Sequence, residues 1–139
     1  EMIQADPSVS EDIGVKEGQA LHRLTVLRYR PEESLPAGLV SIYLRPEHAD
    51  VIADIGAEPV IRLVERRFNL DFSEIVQLIS ARVLTRSQAR TLACPAGHPA
   101  LRVIRQYRDA QDRLLTATDG LYPTDRFSHN TRFRIHHKP

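Results

Sequence analysis

The chain has 139 residues, of which 42% are hydrophobic and 27% are charged. This length suits one domain with an ordinary core, and the apolar content excludes a disordered chain. Nineteen basic residues stand against 18 acidic ones, which gives a net charge of +1. Because phosphate-driven binding needs a basic excess, this charge argues against tight binding of nucleic acid by the chain alone. We therefore expect a single folded domain spanning residues 1–139.

Cysteine and histidine usage limits the chemistry that the chain can support. Cys94 is the only cysteine, which excludes an intramolecular disulfide and a multi-cysteine zinc site. The adjacent His136 and His137 lie near the end of the chain and do not suggest a closed metal site. No apolar stretch approaches the ~20 residues of a membrane helix. We expect no metal, no cofactor, no membrane partner and a cytoplasmic location.

An internal repeat organises the predicted elements. An offset of 79 residues aligns the two halves through the pairs Asp6–Thr85, Gly18–Gly97, Arg23–Arg102 and Tyr43–Tyr122. In the first half, the pattern predicts strand 1–5, helix 7–13, strand 21–30 and strand 39–44. Two helices follow at 47–55 and 60–68. The second half contains strand 71–84, helix 86–92, strand 100–108 and strand 113–121. The predicted class is α+β, with a mixed, mainly antiparallel sheet, helices on one side and two pseudo-symmetric halves.

Two arginines are the first candidate ligand contacts. Arg28 and Arg105 alternate with aliphatic residues along their strands, which is unusual for a purely solvated charge. A buried guanidinium needs a carboxylate, a backbone carbonyl or a ligand anion. The alternative is an arginine whose head reaches water or an internal salt bridge.

Two tyrosines and a threonine are further candidates. Thr116 and Tyr122 lie in phase on the last strand, and the repeat pairs Tyr122 with Tyr43. The two phenol groups either close a pocket or are ordinary core tyrosines.

Four segments carry a resemblance to a known family: residues 15–18, residues 92–102, residues 106–109 and the closing run 121–127. In this order and at these separations they resemble the UTRA domain, the effector-binding half of HutC-subfamily, GntR-type transcription regulators. The resemblance covers essentially the whole chain. It implies a fold similar to that of chorismate lyase and a ligand-sensing domain, from a repressor, that allosterically controls DNA binding. The N-terminal winged helix-turn-helix domain of such regulators is expected to be absent from this chain.

The resemblance also assigns roles to single residues. Arg28 stands where a strand arginine of the family meets the acidic group of the effector, whereas Val26 stands at the preceding such position. Thr116 replaces a glutamate found in members that bind amino-sugar phosphates, which argues against an amino sugar. Gln77 matches a polar position common in the family. The predicted effector is a small organic anion, of the organic acid or sugar phosphate class.

Two further expectations concern partners and chemistry. Strand 71–84 has apolar residues in both phases, so one small domain cannot cover both of its faces, and a homodimer is expected.

The alternative function is a small chorismate lyase-like enzyme on the same scaffold. An enzyme needs a group poised for proton transfer, whereas Arg28 and Arg105 stay protonated and only orient an anion. The sequence therefore favours a binding module with no catalytic residues.

Overall fold

The chain folds into a six-stranded sheet with α-helices and one 3-10 helix, and the structure, a computed structural model, describes residues 1–138. In chain order the elements are β1 (Met2–Gln4), α1 (Pro7–Ile13), β2 (Ala20–Tyr29), β3 (Pro36–Leu44), the 3-10 helix (Pro46–Asp54), α2 (Val60–Phe68), β4 (Glu74–Val83), α3 (Arg86–Thr91), β5 (Pro99–Arg108) and β6 (Leu114–Pro123). The predicted α+β class is confirmed. Within residues 1–138, no helix is both long enough and apolar enough to span a bilayer.

Hydrogen bonding places the strands in the spatial order β1-β2-β3-β6-β5-β4. The sheet was predicted to be mixed and mainly antiparallel, and every pairing among the described residues is antiparallel. β3 and β6 lie side by side in the middle, so the two repeat units meet at the centre of the sheet. β1 and β4 are the two edge strands.

Each face of the sheet carries a core, because neighbouring residues of a strand point to opposite faces. On one face, called the α2 face below, Ile42 belongs to a cluster with residues of α2 and the 3-10 helix. On the opposite face, the α1 face, Tyr43 packs with Ile13 of α1. Ala89 of α3 packs with Leu121 on this same α1 face. The expectation of helices on one side therefore needs correction, since the apolar sides of α1 and α3 are buried on the second face.

Local signals set the ends of the helices. The Asp6 carboxylate accepts a hydrogen bond from the Val9 N–H at 2.8 Å and caps α1. Thr85 and Gln88 form the reciprocal capping box of α3, as the sequence predicts. α2 ends at Asn69, which adopts a left-handed backbone with φ of 52°.

The alignment of the two repeats slips by one residue within the second hairpin. Each hairpin has a bulge that leaves one residue without an opposite partner, Ala37 in β3 and Leu115 in β6. Leu115 stands 78 positions after Ala37 because the loop between β5 and β6 is one residue shorter than the loop between β2 and β3. Tyr122 is therefore equivalent to Leu44. The predicted pairing of Tyr43 with Tyr122 is wrong by one residue, which places the two rings on opposite faces.

Candidate functional site

The sheet brings most of the predicted site residues together on the α2 face. Residues directly opposite each other in neighbouring strands share a face. Arg105 lies opposite Gln77 on one side and Thr118 on the other. By the same register, the residues on this face are Arg28, Gln77, Arg105, Thr116 and Tyr122, whereas Tyr43 lies on the α1 face.

Tyr122 lies flat against the backbone of two neighbouring strands. A Cβ atom added to Gly38 or Gly120 would stand 2.5 Å from carbon atoms of the Tyr122 ring. Only glycine permits such a close approach of an aromatic ring to both strands. On its other side the ring stacks on Phe127, with centroids 4.2 Å apart. These contacts fix the position of the phenol on the α2 face.

The electrostatic surroundings of Tyr122 connect the two arginines. Burial raises the pKa of the Tyr122 hydroxyl above its ordinary value, and the positive charges of Arg105 and Arg28 oppose this effect. Both guanidinium groups are therefore close enough to act on one phenol. Arg28, Arg105 and Tyr122 form a half-buried cationic patch, called the arginine–tyrosine patch below.

Both arginines of this patch bind neutral oxygen atoms. The Arg28 Nη1 donates a hydrogen bond to the Gly56 carbonyl at 2.7 Å, in the loop between the 3-10 helix and α2. The Arg105 Nε donates to the Gln77 Oε1 at 2.7 Å. Among residues 1–138, neither guanidinium takes part in an ion pair. The sequence left open whether Arg28 and Arg105 form internal salt bridges, and such salt bridges are therefore excluded within residues 1–138.

Thr116 and Tyr43 have structural surroundings. The Thr116 side chain is 1% exposed, and its hydroxyl donates to the Tyr43 carbonyl at 2.9 Å. Tyr43 is buried in the core of the α1 face with Ile13 and Ala117. The structure therefore separates Tyr43 from the arginine–tyrosine patch and gives Thr116 a backbone partner. As ligand contacts, both residues remain predictions.

Two aromatic contacts beside the patch were not assigned to the site from the sequence. Tyr107 lies two residues after Arg105 on the same strand face, and its ring meets that of Phe72 edge-on at 5.5 Å. Phe127 stacks on Tyr122. The alternation along β5 already indicates the face of Tyr107, but no local pattern indicates the contacts of Phe72 or Phe127.

A cleft lined by several basic residues lies elsewhere in the fold. A cleft of about 610 Å³ lies where the ends of α1, β3 and the β5–β6 hairpin meet. Its basic lining residues are Lys16, Arg45, Arg108 and Arg113. The Arg108 head is already bound to the carbonyls of Gly14 and Asp112. None of the six predicted site residues lines this cleft.

The patch has the chemistry of an anion-binding site. Arginine remains protonated at any physiological pH and offers planar donors to carboxylates and phosphates. It cannot exchange a proton with a substrate. Within residues 1–138, no group of three or more His, Cys, Asp or Glu residues is placed to hold a metal ion. The arrangement can bind and orient an anion beside a phenol.

Comparisons with known proteins agree with this architecture. The family model of the UTRA domain matches residues 1–128. No curated protein matches the sequence. A GntR-family transcriptional regulator from Bacillus cereus superposes with a TM-score of 0.81 at 13% identity, over 96% of this chain and 93% of that chain. The C-terminal domain of the histidine utilization repressor from Pseudomonas syringae gives 0.75 at 16% identity, over 97% and 94%.

One further relative has been solved both as a domain and as a longer chain. The effector domain of PhnF from Mycobacterium smegmatis gives a TM-score of 0.78 at 18% identity, over 97% of this chain and 83% of that chain. The longer PhnF structure has the same score and identity, but this chain covers only 60% of it. At these identities the structures show a shared fold, and the family follows from the match to residues 1–128. The chain belongs to the UTRA domain family.

Proposed function

We propose that this chain is the ligand-sensing domain of a GntR-type, HutC-subfamily transcription regulator, a repressor, and that it binds a small organic anion. The observation that carries the proposal is the arginine–tyrosine patch. Arg28 and Arg105 are half-buried, bind neutral oxygens and no carboxylate among residues 1–138, and flank one phenol. A ligand carboxylate or phosphate placed there gains charge-assisted hydrogen bonds from two preformed donors. Organic acids and sugar phosphates are the ligand classes with this chemistry.

Binding at the patch suits an allosteric role better than catalysis. The anion competes with the Gly56 carbonyl for the Arg28 head, so the loop between the 3-10 helix and α2 can respond to the ligand. A ligand shifts a conformational equilibrium only when it binds the two states differently. The chorismate lyase-like alternative needs a proton-transfer group at the site, and no observation in the patch favours it. We propose that the domain is not an enzyme and acts in the cytoplasm.

DNA binding is proposed to reside in a separate N-terminal winged helix-turn-helix domain. Supporting this, the chain spans 60% of the longer PhnF structure but 83% of the PhnF effector domain. The net charge of +1 also provides little attraction for phosphates. A mobility-shift assay of residues 1–139 with operator fragments should show no sequence-specific complex. A specific, salt-dependent shift would contradict this assignment.

A homodimer is proposed as the working form. The edge strand β4 exposes apolar residues on both of its faces, with Leu78 57% and Val83 69% exposed. Unpaired sheet edges with exposed apolar side chains are usually covered in functional proteins. In a homodimer, a second copy of the chain would cover the exposed apolar side chains of β4.

Calorimetric titration tests the binding proposal. Dicarboxylates and hexose phosphates are titrated into wild type, Arg28→Ala, Arg28→Lys, Arg105→Ala and Thr116→Ala. Arg28→Ala and Arg105→Ala should weaken binding about ten- to a hundred-fold, because a charge-assisted bond is worth roughly 1.5–3 kcal/mol. Arg28→Lys should recover only part of the loss, and Thr116→Ala should have a smaller effect. The control is Arg90→Ala, an exposed arginine of α3. Equal affinities of all variants for a bound anion would overturn the site.

A further inference from the structure

The segment after β6 extends beyond the part of the chain matched by the family model. Residues 129–138 follow the match to residues 1–128 and lie outside the helices and strands. Phe133 is 86% exposed and Ile135 is 79% exposed, more than any other large hydrophobic residue among residues 1–138. Two neighbouring large apolar side chains in water suggest a surface that another molecule covers.

The sequence of this segment has the period of a β-strand. Phe133 and Ile135 alternate with Arg132, Arg134 and His136. A two-residue period places the apolar side chains on one face of a strand and the basic ones on the other. The segment therefore has strand character but lacks a strand partner among the described residues.

β4 offers a free edge of suitable length. Glu74–Val83 is ten residues long, contains no proline and pairs only with β5. Its outer edge therefore presents backbone N–H and C=O groups without strand partners. The exposed side chains of Ile75, Leu78 and Val83 surround this edge.

The segment has little length to spare for reaching β4 of its own chain. The Arg126 head donates to the carbonyls of Pro36 at 2.9 Å and Ala93 at 2.8 Å, and Phe127 stacks on Tyr122. From Phe127 to Thr131 the chain makes four Cα–Cα steps, which span at most about 14 Å when fully extended. The free side of β4 lies three strand spacings from β6, which is about 14 Å. Pairing within one chain would therefore need a fully extended linker, with no residue to spare for turning around the edge of the sheet.

We propose that residues 131–138 of one copy add as an antiparallel strand to the free edge of β4 in a second copy. This inference rests on the homodimer proposed above. The antiparallel direction brings the basic end of the segment, Lys138, opposite Glu74. A parallel strand would instead bring Lys138 close to Arg82, which has the same charge. With Lys138 opposite Glu74, Phe133 lies opposite Ile79 and shares its face.

Sedimentation of the purified 139-residue chain tests the pairing. The double variant Phe133→Asp/Ile135→Asp should weaken dimerisation at least ten-fold. Its fold should be intact, because both side chains lie in solvent. The matched control is Leu35→Asp, which also replaces an exposed hydrophobic residue by aspartate, in the loop between β2 and β3. This control should dimerise like wild type.

A charge exchange tests the direction of the added strand. Lys138→Glu and Glu74→Lys should each weaken the dimer, and the combined variant should recover most of the loss. A peptide of residues 129–138 should also compete for β4 and convert dimer to monomer, whereas the same peptide with aspartate at positions 133 and 135 should not. Hydrogen exchange should show protection of residues 131–136 that disappears with dilution.

Two outcomes would overturn the inference, and they can be told apart. If wild type is a dimer and Phe133→Asp/Ile135→Asp dimerises equally well, the strand addition is wrong while the homodimer stands. If wild type is a monomer at tens of micromolar, both the homodimer and the strand addition are wrong. Binding of anions to the arginine–tyrosine patch is measured independently by calorimetry and is unaffected by either outcome.

Discussion

The ring of Tyr122 stacks on the ring of Phe127, with centroids 4.2 Å apart and ring planes inclined by 23°. The stack links the arginine–tyrosine patch to the point where the chain leaves the sheet. Arg126, the residue before Phe127, is hydrogen-bonded to the Pro36 carbonyl of β3 and the Ala93 carbonyl after α3. Any displacement of Tyr122 by a bound anion must therefore be accommodated by Phe127, and the adjoining backbone is held in place.

The close contact of Tyr122 with Gly120 predicts a strong effect of a single methyl group. A Cβ at residue 120 would stand 2.5 Å from the Tyr122 ring, inside any permitted contact distance. Gly120→Ala should therefore displace the ring and lower the free energy of unfolding by roughly 1–3 kcal/mol, the usual cost of overpacking. Urea denaturation measures the loss, and near-ultraviolet circular dichroism reports the displaced tyrosine.

Gly56→Ala provides the matched control for this prediction. A Cβ at residue 56 meets no atom within 4 Å, and its backbone is outside the left-handed region. Gly56→Ala should therefore leave stability within about 0.5 kcal/mol of wild type. Equal stability of Gly120→Ala and Gly56→Ala would show that the ring has room to move.

A second prediction concerns the ion-pair cluster on the α1 face. Arg102 binds Asp119 through two hydrogen bonds of 2.9 and 2.6 Å, and binds Asp12 of α1 at 2.7 Å. All three side chains are largely buried. Arg102→Met leaves two carboxylates without a cationic partner, and the free energy of unfolding should fall by about 3 kcal/mol. Urea denaturation at neutral pH measures this loss.

The repeat supplies the control for the Arg102 prediction. Arg23 is the equivalent residue of the first half, but it pairs with the exposed Glu1. Exposed ion pairs contribute about 0–1 kcal/mol. Arg23→Met should therefore cost much less than Arg102→Met, and similar losses for the two variants would contradict the dependence on burial.

Local signals account for the parts of the fold that were predicted accurately. The predicted helices 7–13 and 60–68 coincide with α1 and α2, because Asp6, Pro7 and Asn69 mark helix ends within a few residues of sequence. The predicted helix 47–55 forms as a 3-10 helix at Pro46–Asp54. The strands are found within a few residues of their predicted positions, since alternation is also a local pattern.

The choice of sheet face depended on information that local patterns lack. The β5–β6 loop is one residue shorter than the β2–β3 loop, which moves Tyr122 to the face opposite Tyr43. Because the two halves share few identical residues, their sequences do not reveal this one-residue shift. The partner of Thr116 is the Tyr43 carbonyl, 73 residues away. Alternation within each strand predicts that Arg28 and Arg105 lie among aliphatic residues, whereas their common face follows from the register of the sheet. Their neutral partners, Gly56 and Gln77, come from non-local pairing.

The last prediction concerns His48 in the 3-10 helix, a histidine buried in its neutral form. Its side chain is 7% exposed, its ring lies 4.6 Å from that of Phe68, and its Nδ1 has no hydrogen-bond partner among the described residues. Burial lowers the pKa of His48, and the Arg45 charge adds to this effect, whereas Glu47 and the Leu115 backbone act in the opposite direction.

Acidification should therefore destabilise the fold through this residue. Below its ordinary pKa of about 6.5, His48 takes up a proton in the unfolded chain and remains neutral in the folded one. This difference lowers the free energy of unfolding by up to about 1.4 kcal/mol per pH unit until the folded-state pKa is reached. His48→Phe keeps a ring against Phe68 and removes the titrating group, so its stability should fall less than that of wild type between pH 7 and pH 5. His136→Gln, at an exposed position, should follow wild type. Urea denaturation of the three proteins between pH 7 and pH 5 measures the free energy of unfolding. Parallel pH profiles for wild type and His48→Phe would contradict the prediction, because they would show that His48 is protonated equally in the folded and unfolded chain.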